Sequence, residues 1–228
     1  MASLAPRQLA FALDHSESFA REDFLSGPSN EAALALLERW PDWPDRVMLL
    51  VGPEGAGKSH LAAMWAQMAG ARLVAARALD DVHLPATLVT GALVVEDLAA
   101  GRFDERALFH LLNLVREEAA FLLITARLLP AAFAIELRDL ASRLRSLPVV
   151  NLAAPDDALL RAVMVKLFAD RQLAVDESLI AYLMTRIERS FAAARAAVER
   201  LDREALRQQR PVTRALAGEL FREPVAAR

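Results

Sequence analysis

The sequence contains no cysteine, and its basic residues form no block along the chain. The absence of cysteine excludes both a disulfide framework and a cysteine-based metal site. A dedicated binder of double-stranded DNA usually carries a basic face, whereas this chain has a formal net charge of -3 and a pI near 5.9. Contact with nucleic acid is therefore expected to be indirect or weak, without sequence-specific DNA binding. No metal-ligand spacing connects the four histidines, which are His15, His60, His83 and His110.

Long hydrophobic runs are also missing. The longest apolar stretches are interrupted by charge or proline, as in residues 121–139, and none reaches the ~20 residues that span a bilayer. Residues 1–19 lack the apolar segment after a basic start that is typical of a signal peptide. These absences predict a cytoplasmic protein with no membrane partner.

The chain nevertheless has enough apolar sequence for a full core, with 228 residues of which 55% are hydrophobic. This size suits one α/β domain with a small appendage. Short apolar runs alternate with helical patterns, which predicts a parallel sheet covered on both faces. The expected strands are 46–52, 72–77, 92–97, 121–126 and 148–152. One expected helix, 31–40, precedes the first strand, and those between the strands are 61–69, 104–119 and 134–146.

Beyond Pro155 the pattern is helical throughout, and no strand signal remains. The predicted organisation is a flexible arm at 1–20, an α/β domain at 21–154 and a small helical domain at 155–228.

Lysine is scarce, because every Lys or Arg position except Lys58 and Lys166 is arginine. Lys58 lies in a segment that matches the phosphate-loop pattern G-x-x-x-x-G-K-[ST], between a predicted strand and a predicted helix. Its glycines let backbone N–H groups face phosphates, while Lys58 would neutralise the β- and γ-phosphates and Ser59 would bind Mg²⁺. The alternative is an ordinary glycine-rich turn. The matching residues are Gly52, Pro53, Glu54, Gly55, Ala56, Gly57, Lys58 and Ser59.

Two acids end the apolar run at 92–95, and they are Glu96 and Asp97. Ligands of open α/β sheets bind at the carboxyl ends of the strands, so one acid would hold Mg²⁺ and the other would orient the attacking water. The alternative is a pair of solvated loop acids. Thr125, near the end of the fourth strand, is a candidate sensor of the γ-phosphate, or simply a β-branched strand residue.

Together these segments resemble the AAA+ domain of the bacterial replication initiator DnaA, and more closely its shorter regulatory relatives of the Hda type. The resemblance rests on 24–37, 49–61, 93–99, 121–133 and 137–190, and covers roughly 8–222. It implies a P-loop AAA+ three-layer sandwich with a five-stranded parallel sheet, followed by a small all-helical lid. It also implies binding of ADP or ATP with Mg²⁺, and adds His60 to the nucleotide-binding set.

The N-terminal arm resembles the sliding-clamp-binding peptide of the Hda type. In an extended segment Leu9, Phe11 and Leu13 share one side and would fill an apolar groove, while Gln8 would hydrogen-bond at its edge. The alternative is a first strand, or an arm that docks on the core.

The resemblance places an arginine finger at Arg143, which would act on ATP bound by DnaA, with Arg145 as the competing residue. At the sensor 2 position of the family this chain has Ala192. Arg195, almost one helical turn later, is the first replacement candidate and Arg189 the second. Intrinsic ATPase activity is therefore expected to be weak or absent.

The function implied by the resemblance is regulation of replication initiation. The protein would dock on the sliding clamp (the DNA polymerase β subunit) and stimulate ATP hydrolysis by DnaA, with homo-oligomerisation possible. One alternative is a self-sufficient AAA+ ATPase such as a helicase loader. Another is an initiator-like protein that binds the origin, although the charge and the end of the sequence soon after the lid helices argue against it.

Overall fold

The structure is a computed structural model that describes residue 21 and residues 24–221. Five parallel strands form one sheet in the order β2-β3-β4-β1-β5. This confirms the predicted fold class. The strands are β1 Val47–Val51, β2 Arg72–Ala75, β3 Ala92–Leu98, β4 Phe121–Ala126 and β5 Val149–Asn151.

Helices cover both faces of the sheet, because successive side chains of the buried strands point in opposite directions. The helices up to β5 are α1 Glu31–Glu38, α2 Lys58–Ala69, α3 Leu84–Thr87, α4 Glu105–Glu117 and α5 Arg138–Ser146. In β1, for example, Leu49 packs toward α4 and α5, whereas Leu50 packs toward α1 and α2.

The fifth helix begins later than the sequence predicts, at Arg138 instead of residue 134. A 3₁₀ turn at Pro130–Ala132 precedes it. The Glu105 carboxylate accepts hydrogen bonds from the backbone N–H groups of Glu136 and Leu137, which holds this entry segment outside the helix.

The C-terminal part of the described chain consists of four helices around their own apolar core, as predicted. Each begins with a side-chain oxygen that accepts a backbone N–H of the first turn, a capping arrangement that stabilises helix starts. The boundary at residue 154 stays a prediction. The helices, with their capping residues, are α6 Asp157–Asp170 (Asp156), α7 Glu177–Met184 (Asp176), α8 Phe191–Gln208 (Ser190) and α9 Arg214–Leu220 (Thr213).

Among the described helices, none combines the length and the apolar character that a membrane span requires.

Candidate nucleotide-binding site

The loop between β1 and α2 has the strand–loop–helix setting that the phosphate-loop pattern requires. β1 is buried along its length, and α2 begins at Lys58 directly after Gly57. Gly55 and Gly57 have φ angles of 71° and 94°, in the left-handed region where glycine is favoured. A Cβ on Gly52 would lie 2.7 Å from the carbonyl oxygen of Leu152. Backbone geometry therefore explains why glycines occupy these positions.

The Lys58 side chain lies over this loop. Its Nζ donates hydrogen bonds of 2.7 Å to the carbonyl oxygens of Gly52 and Pro53. Partial burial lowers the pKa of Lys58 below its usual value, and the nearby Arg127 guanidinium lowers it further. Asp97 and Glu54 act in the opposite direction and raise that pKa. The Lys58 ammonium therefore lies at the opening of the loop, where a polyphosphate would be held.

The end of β3 bends away from regular pairing. The register between β3 and β4 shifts between Val95 and Leu98, and Asp97 has φ 56°. Asparagine and aspartate tolerate this left-handed conformation better than most residues. The Asp97 backbone N–H donates a 3.0 Å hydrogen bond to Oγ1 of Thr125. Thr125 is only 2% exposed. Thr125 therefore fixes the backbone at Asp97, while its predicted role as a phosphate sensor stays a prediction.

The two acids of β3 differ in their surroundings. Glu96 is half-buried and lies opposite Ala75 of β2, whereas Asp97 is exposed. Glu96 and Ser59 both line an open cleft of about 560 Å³ beside α2. Magnesium in phosphate sites is commonly held by one or two carboxylates together with phosphate oxygens and water. Ser59 and Glu96 offer oxygen ligands of that kind in one cleft, and the roles of Ser59, Glu96 and Asp97 as Mg²⁺ ligands stay predictions.

Arg127 is a residue of this site that the sequence reasoning missed. It follows β4 by one residue, and its Nη1 donates to the Glu54 carboxylate of the phosphate loop. Its Nε lies 3.4 Å from Oδ1 of Asp97. A charged residue directly after the carboxyl end of a buried strand was the available signal.

The start of α8 contacts the phosphate loop directly. The Phe191 N–H donates a 2.9 Å hydrogen bond to the Gly55 carbonyl oxygen. A Cβ on Gly55 would lie 2.6 Å from Cβ of Ser190 and 3.3 Å from Cβ of Ala192. The helical part of the chain therefore rests on the loop through small side chains and backbone.

The three residues weighed for sensor 2 occupy different positions near that contact. Ala192 is exposed, and Arg195 is half-buried in α8. Arg189 lies before α8 and forms a 3.2 Å ion pair with Asp157. The role of Arg195 stays a prediction.

His60 lies in the first turn of α2, directly after Ser59. Its ring centroid is 5.3 Å from that of Phe24, so the residue connects α2 to the segment before α1. The arm residues Gln8, Leu9, Phe11 and Leu13 lie outside the described residues.

Arg143 lies at the opposite end of the sheet from the loop. It shares a cleft of about 200 Å³ with Val47, the first residue of β1. Its guanidinium is 4.5 Å from the Phe109 ring centroid and donates through Nη1 to Oδ1 of Asn113. Arg145 is exposed, and its Nε donates a 3.1 Å hydrogen bond to the carbonyl oxygen of Ala141. Arg143 is thus positioned away from its own phosphate loop.

Comparisons with known proteins give matches among solved structures. No protein-family model matches the sequence, and no curated protein matches it. Domain III of the Thermotoga maritima replication initiation protein DnaA is similar, with TM-score 0.73, 17% identity, and coverage of 92% of this chain and 98% of that one.

Two further structures share the architecture. The DnaA of Aquifex aeolicus bound to AMPPCP has TM-score 0.64 and 17% identity, covering 84% of this chain and 68% of that one. The Thermotoga maritima RuvB Holliday junction branch migration motor has TM-score 0.71 and 15% identity, covering 90% and 72%. At these identities the similarity shows the fold, and the chain folds as the AAA+ domains of DnaA and RuvB do.

Proposed function

We propose that this chain is an adenine-nucleotide-binding AAA+ protein that regulates the initiation of DNA replication. The observation that carries the proposal is the phosphate loop, in which three glycines meet backbone requirements and Lys58 lies over the loop carbonyls. Its AAA+ fold is shared with a DnaA that binds AMPPCP. The ligand is ADP or ATP with Mg²⁺, and the location is the cytoplasm.

The nucleotide would serve mainly to organise the protein. Lys58 would neutralise the terminal phosphates, and Ser59 with Glu96 or Asp97 would hold Mg²⁺. Ala192 at the expected sensor 2 position offers no charge to the phosphates, so intrinsic hydrolysis would be slow. The direct contact of α8 with Gly55 would transmit the state of the loop to the helical lid.

The N-terminal arm would dock on the sliding clamp. Its Gln8-Leu9-Ala10-Phe11-Ala12-Leu13 segment offers three apolar side chains at a spacing of two, which suits an extended peptide in an apolar groove. Changing Gln8 and Leu9 to alanine should abolish pull-down by the clamp. The matched control changes Ser16 and Glu17 of the same arm to alanine and should bind normally. Retained binding by the first variant would reject the arm as the docking element.

Arg143 would act on ATP bound by DnaA. Its position at the end of the sheet away from its own loop supports action on a nucleotide bound by a neighbouring molecule. An arginine supplied by a partner stabilises the charge that develops on the transferred phosphoryl group. The protein would thereby convert DnaA to its ADP-bound form.

The central experiment measures hydrolysis of DnaA-bound ATP with and without this protein and the clamp loaded on DNA. We expect stimulation that requires both. Unchanged hydrolysis under all conditions would reject the regulatory role, while binding of Mg²⁺ with ADP or ATP, measured separately by calorimetry, would still test the nucleotide site.

A self-sufficient ATPase motor is the second candidate, favoured by the structural similarity to RuvB. Such a protein would release phosphate without a partner and would assemble with copies of itself. A phosphate-release assay on the isolated protein distinguishes the two functions, because the regulator should turn over slowly when alone. A gel shift at physiological salt separates both from an origin-binding protein.

A further inference from the structure

We propose that Glu105 is a positioning residue for Arg143, because its carboxylate fixes the start of α5 to the start of α4. The inference rests on the proposed function, since it concerns how Arg143 is aimed at a nucleotide bound by another molecule. It assigns a role to a side chain that lies outside both the phosphate loop and the Arg143 cleft.

The segment that leads into α5 is held by another helix. α5 begins at Arg138, and Leu137 before it offers no side-chain acceptor that could cap the helix. Instead, Oε1 of Glu105 accepts a 3.0 Å hydrogen bond from the N–H of Glu136, and Oε2 accepts a 2.8 Å hydrogen bond from the N–H of Leu137. Hydrogen bonds to an ionised acceptor are roughly twice as strong as neutral ones. The entry point of α5 is therefore set by a residue of α4.

Glu105 itself projects from a well-defined helix start. It is the first residue of α4, and the preceding Asp104 caps that helix by accepting the N–H groups of Arg106 at 2.8 Å and Ala107 at 3.1 Å. A carboxylate in the first turn is also favoured by the helix dipole. The Glu105 side chain is half-buried, which restricts it further. It is thus suited to hold a neighbouring segment in one place.

One face of α4 connects this anchor to Arg143. Glu105, Phe109 and Asn113 are spaced by four residues, so they lie on the same side of the helix. The Phe109 ring centroid is 4.5 Å from the Arg143 guanidinium, and Oδ1 of Asn113 accepts a hydrogen bond from Nη1 of Arg143. The same face therefore holds α5 at two points, which are its entry segment and Arg143.

Loss of the first point should misalign Arg143 without unfolding α5. Arg143 lies six residues after Leu137, which is about 9 Å along the helix axis. Leu140 and Leu144 are fully buried in the core of the α/β domain, so the helix would stay packed. A ring contact and one hydrogen bond would then fix the guanidinium alone, and they permit rotation of the helix start. Displacement of a reacting group by 1 Å can cost ~10²-fold in rate.

The first test measures hydrolysis of DnaA-bound ATP against the concentration of this protein, with the clamp loaded on DNA. Glu105→Ala should lower the maximal stimulation about tenfold, less than a full displacement would, because Phe109 and Asn113 still contact Arg143. The concentration that gives half-maximal stimulation should change less than about twofold, since the docking arm is unaltered. Glu105→Gln should lie between, because its amide oxygen keeps one acceptor. The matched control is Glu117→Ala at the exposed end of the same helix, which should stimulate normally.

A second test needs no partner protein. With 4-fluorophenylalanine in place of Phe109, the ¹⁹F resonance reports on the guanidinium that lies over the ring. Arg143→Ala should shift this resonance, and Glu105→Ala should shift it in the same direction. Glu117→Ala should leave it unchanged. A role confined to stability would not move the resonance of a variant that is fully folded at the temperature of measurement.

The outcomes separate the positioning role from the proposed function. If the native protein does not stimulate DnaA, the proposed function fails, and the ¹⁹F resonance still decides whether Glu105 positions Arg143. If the native protein stimulates and Glu105→Ala reaches the same maximum, or raises only the half-maximal concentration, the positioning role is overturned. An unchanged ¹⁹F resonance in Glu105→Ala overturns it as well. Thermal unfolding of each variant checks the fold, and Glu105→Gln carries both tests if Glu105→Ala does not fold.

Discussion

The charged side chains at the two ends of the sheet have different partners. At the carboxyl end, cations and carboxylates alternate around the loop, with Arg127 in contact with both Glu54 and Asp97. At the amino end, Arg143 contacts a phenyl ring and an amide oxygen, which orient a guanidinium without neutralising it. The first arrangement is suited to taking up a phosphate and a metal together. The second orients Arg143 through neutral partners, which suits its proposed action on another molecule.

Removing the charge at the amino end should have the largest effect. Arg143→Ala should reduce stimulation of DnaA-bound ATP hydrolysis by a factor on the order of 10³, the effect expected for an arginine finger. Nucleotide binding and clamp pull-down should be retained, which separates this loss from unfolding. Arg145→Ala is the matched control on the same helix. If Arg145→Ala loses the stimulation and Arg143→Ala keeps it, the finger is Arg145.

Removing the lysine at the carboxyl end should affect the protein's own ligand. Lys58→Ala should weaken ADP and ATP binding about 100-fold, because it removes a charged donor to the phosphates. Calorimetry with Mg²⁺ measures the change, and Lys166→Ala, which alters the other lysine of the chain, should bind normally. Unchanged affinity in Lys58→Ala would show that the loop is a structural turn.

The contact between loop and lid can be tested with a pair of glycine variants. Gly55 and Gly70 both have positive φ, but a Cβ meets Ser190 at 2.6 Å only in the first case and nothing within 4 Å in the second. Gly70→Ala should lower the free energy of unfolding by about 1 kcal/mol through backbone strain alone. Gly55→Ala should cost about 1 kcal/mol more, from the clash with the start of α8. Equal losses in denaturant unfolding would mean that the lid does not rest on the loop in solution.

The smallest expected effect comes from the residue that orients Arg143. Asn113→Ala removes a hydrogen bond worth ~1 kcal/mol and should reduce stimulation of DnaA about fivefold. Asn113→Asp should reduce it further, because a carboxylate would pair with the guanidinium and make this end resemble the other. If Asn113→Asp stimulates as well as the native protein, the neutral surroundings of Arg143 are not important.

Much of the fold could be predicted from the sequence because the strands are short apolar runs with turn residues after them. The helices of the lid could also be predicted from the sequence, since each follows an Asp, Ser or Thr that caps it. The predicted start of α5 was wrong because a separate turn begins at Pro130. In addition, the carboxylate of Glu105, which is distant in the sequence, accepts hydrogen bonds from the backbone N–H groups just before the helix. The short turns and α3 within 76–87 were missed because they carry no helical periodicity.

In the candidate site, too, local sequence patterns were predictable, whereas contacts between distant residues were not. Residues 52–59 form a local pattern, and the structure places them between the predicted strand and helix. Arg127 was missed because its partners lie 30 and 73 positions away in the sequence. The bond from Phe191 to Gly55 was equally invisible, because it joins the lid to the loop only after both have folded.

The hydrogen bond from Phe191 to Gly55 fixes the first turn of α8 to the phosphate loop, so a small rotation there would move the rest of the helix. The helix has 18 residues and is therefore about 27 Å long, with one end held at Gly55 and Ser190. A tilt of about 5° at the held end would move the other end by roughly 2 Å, and helix shifts of that size are typical of switching interfaces. A small rearrangement at the phosphates would thus displace the far end of α8 enough to change its contact with a neighbouring protein.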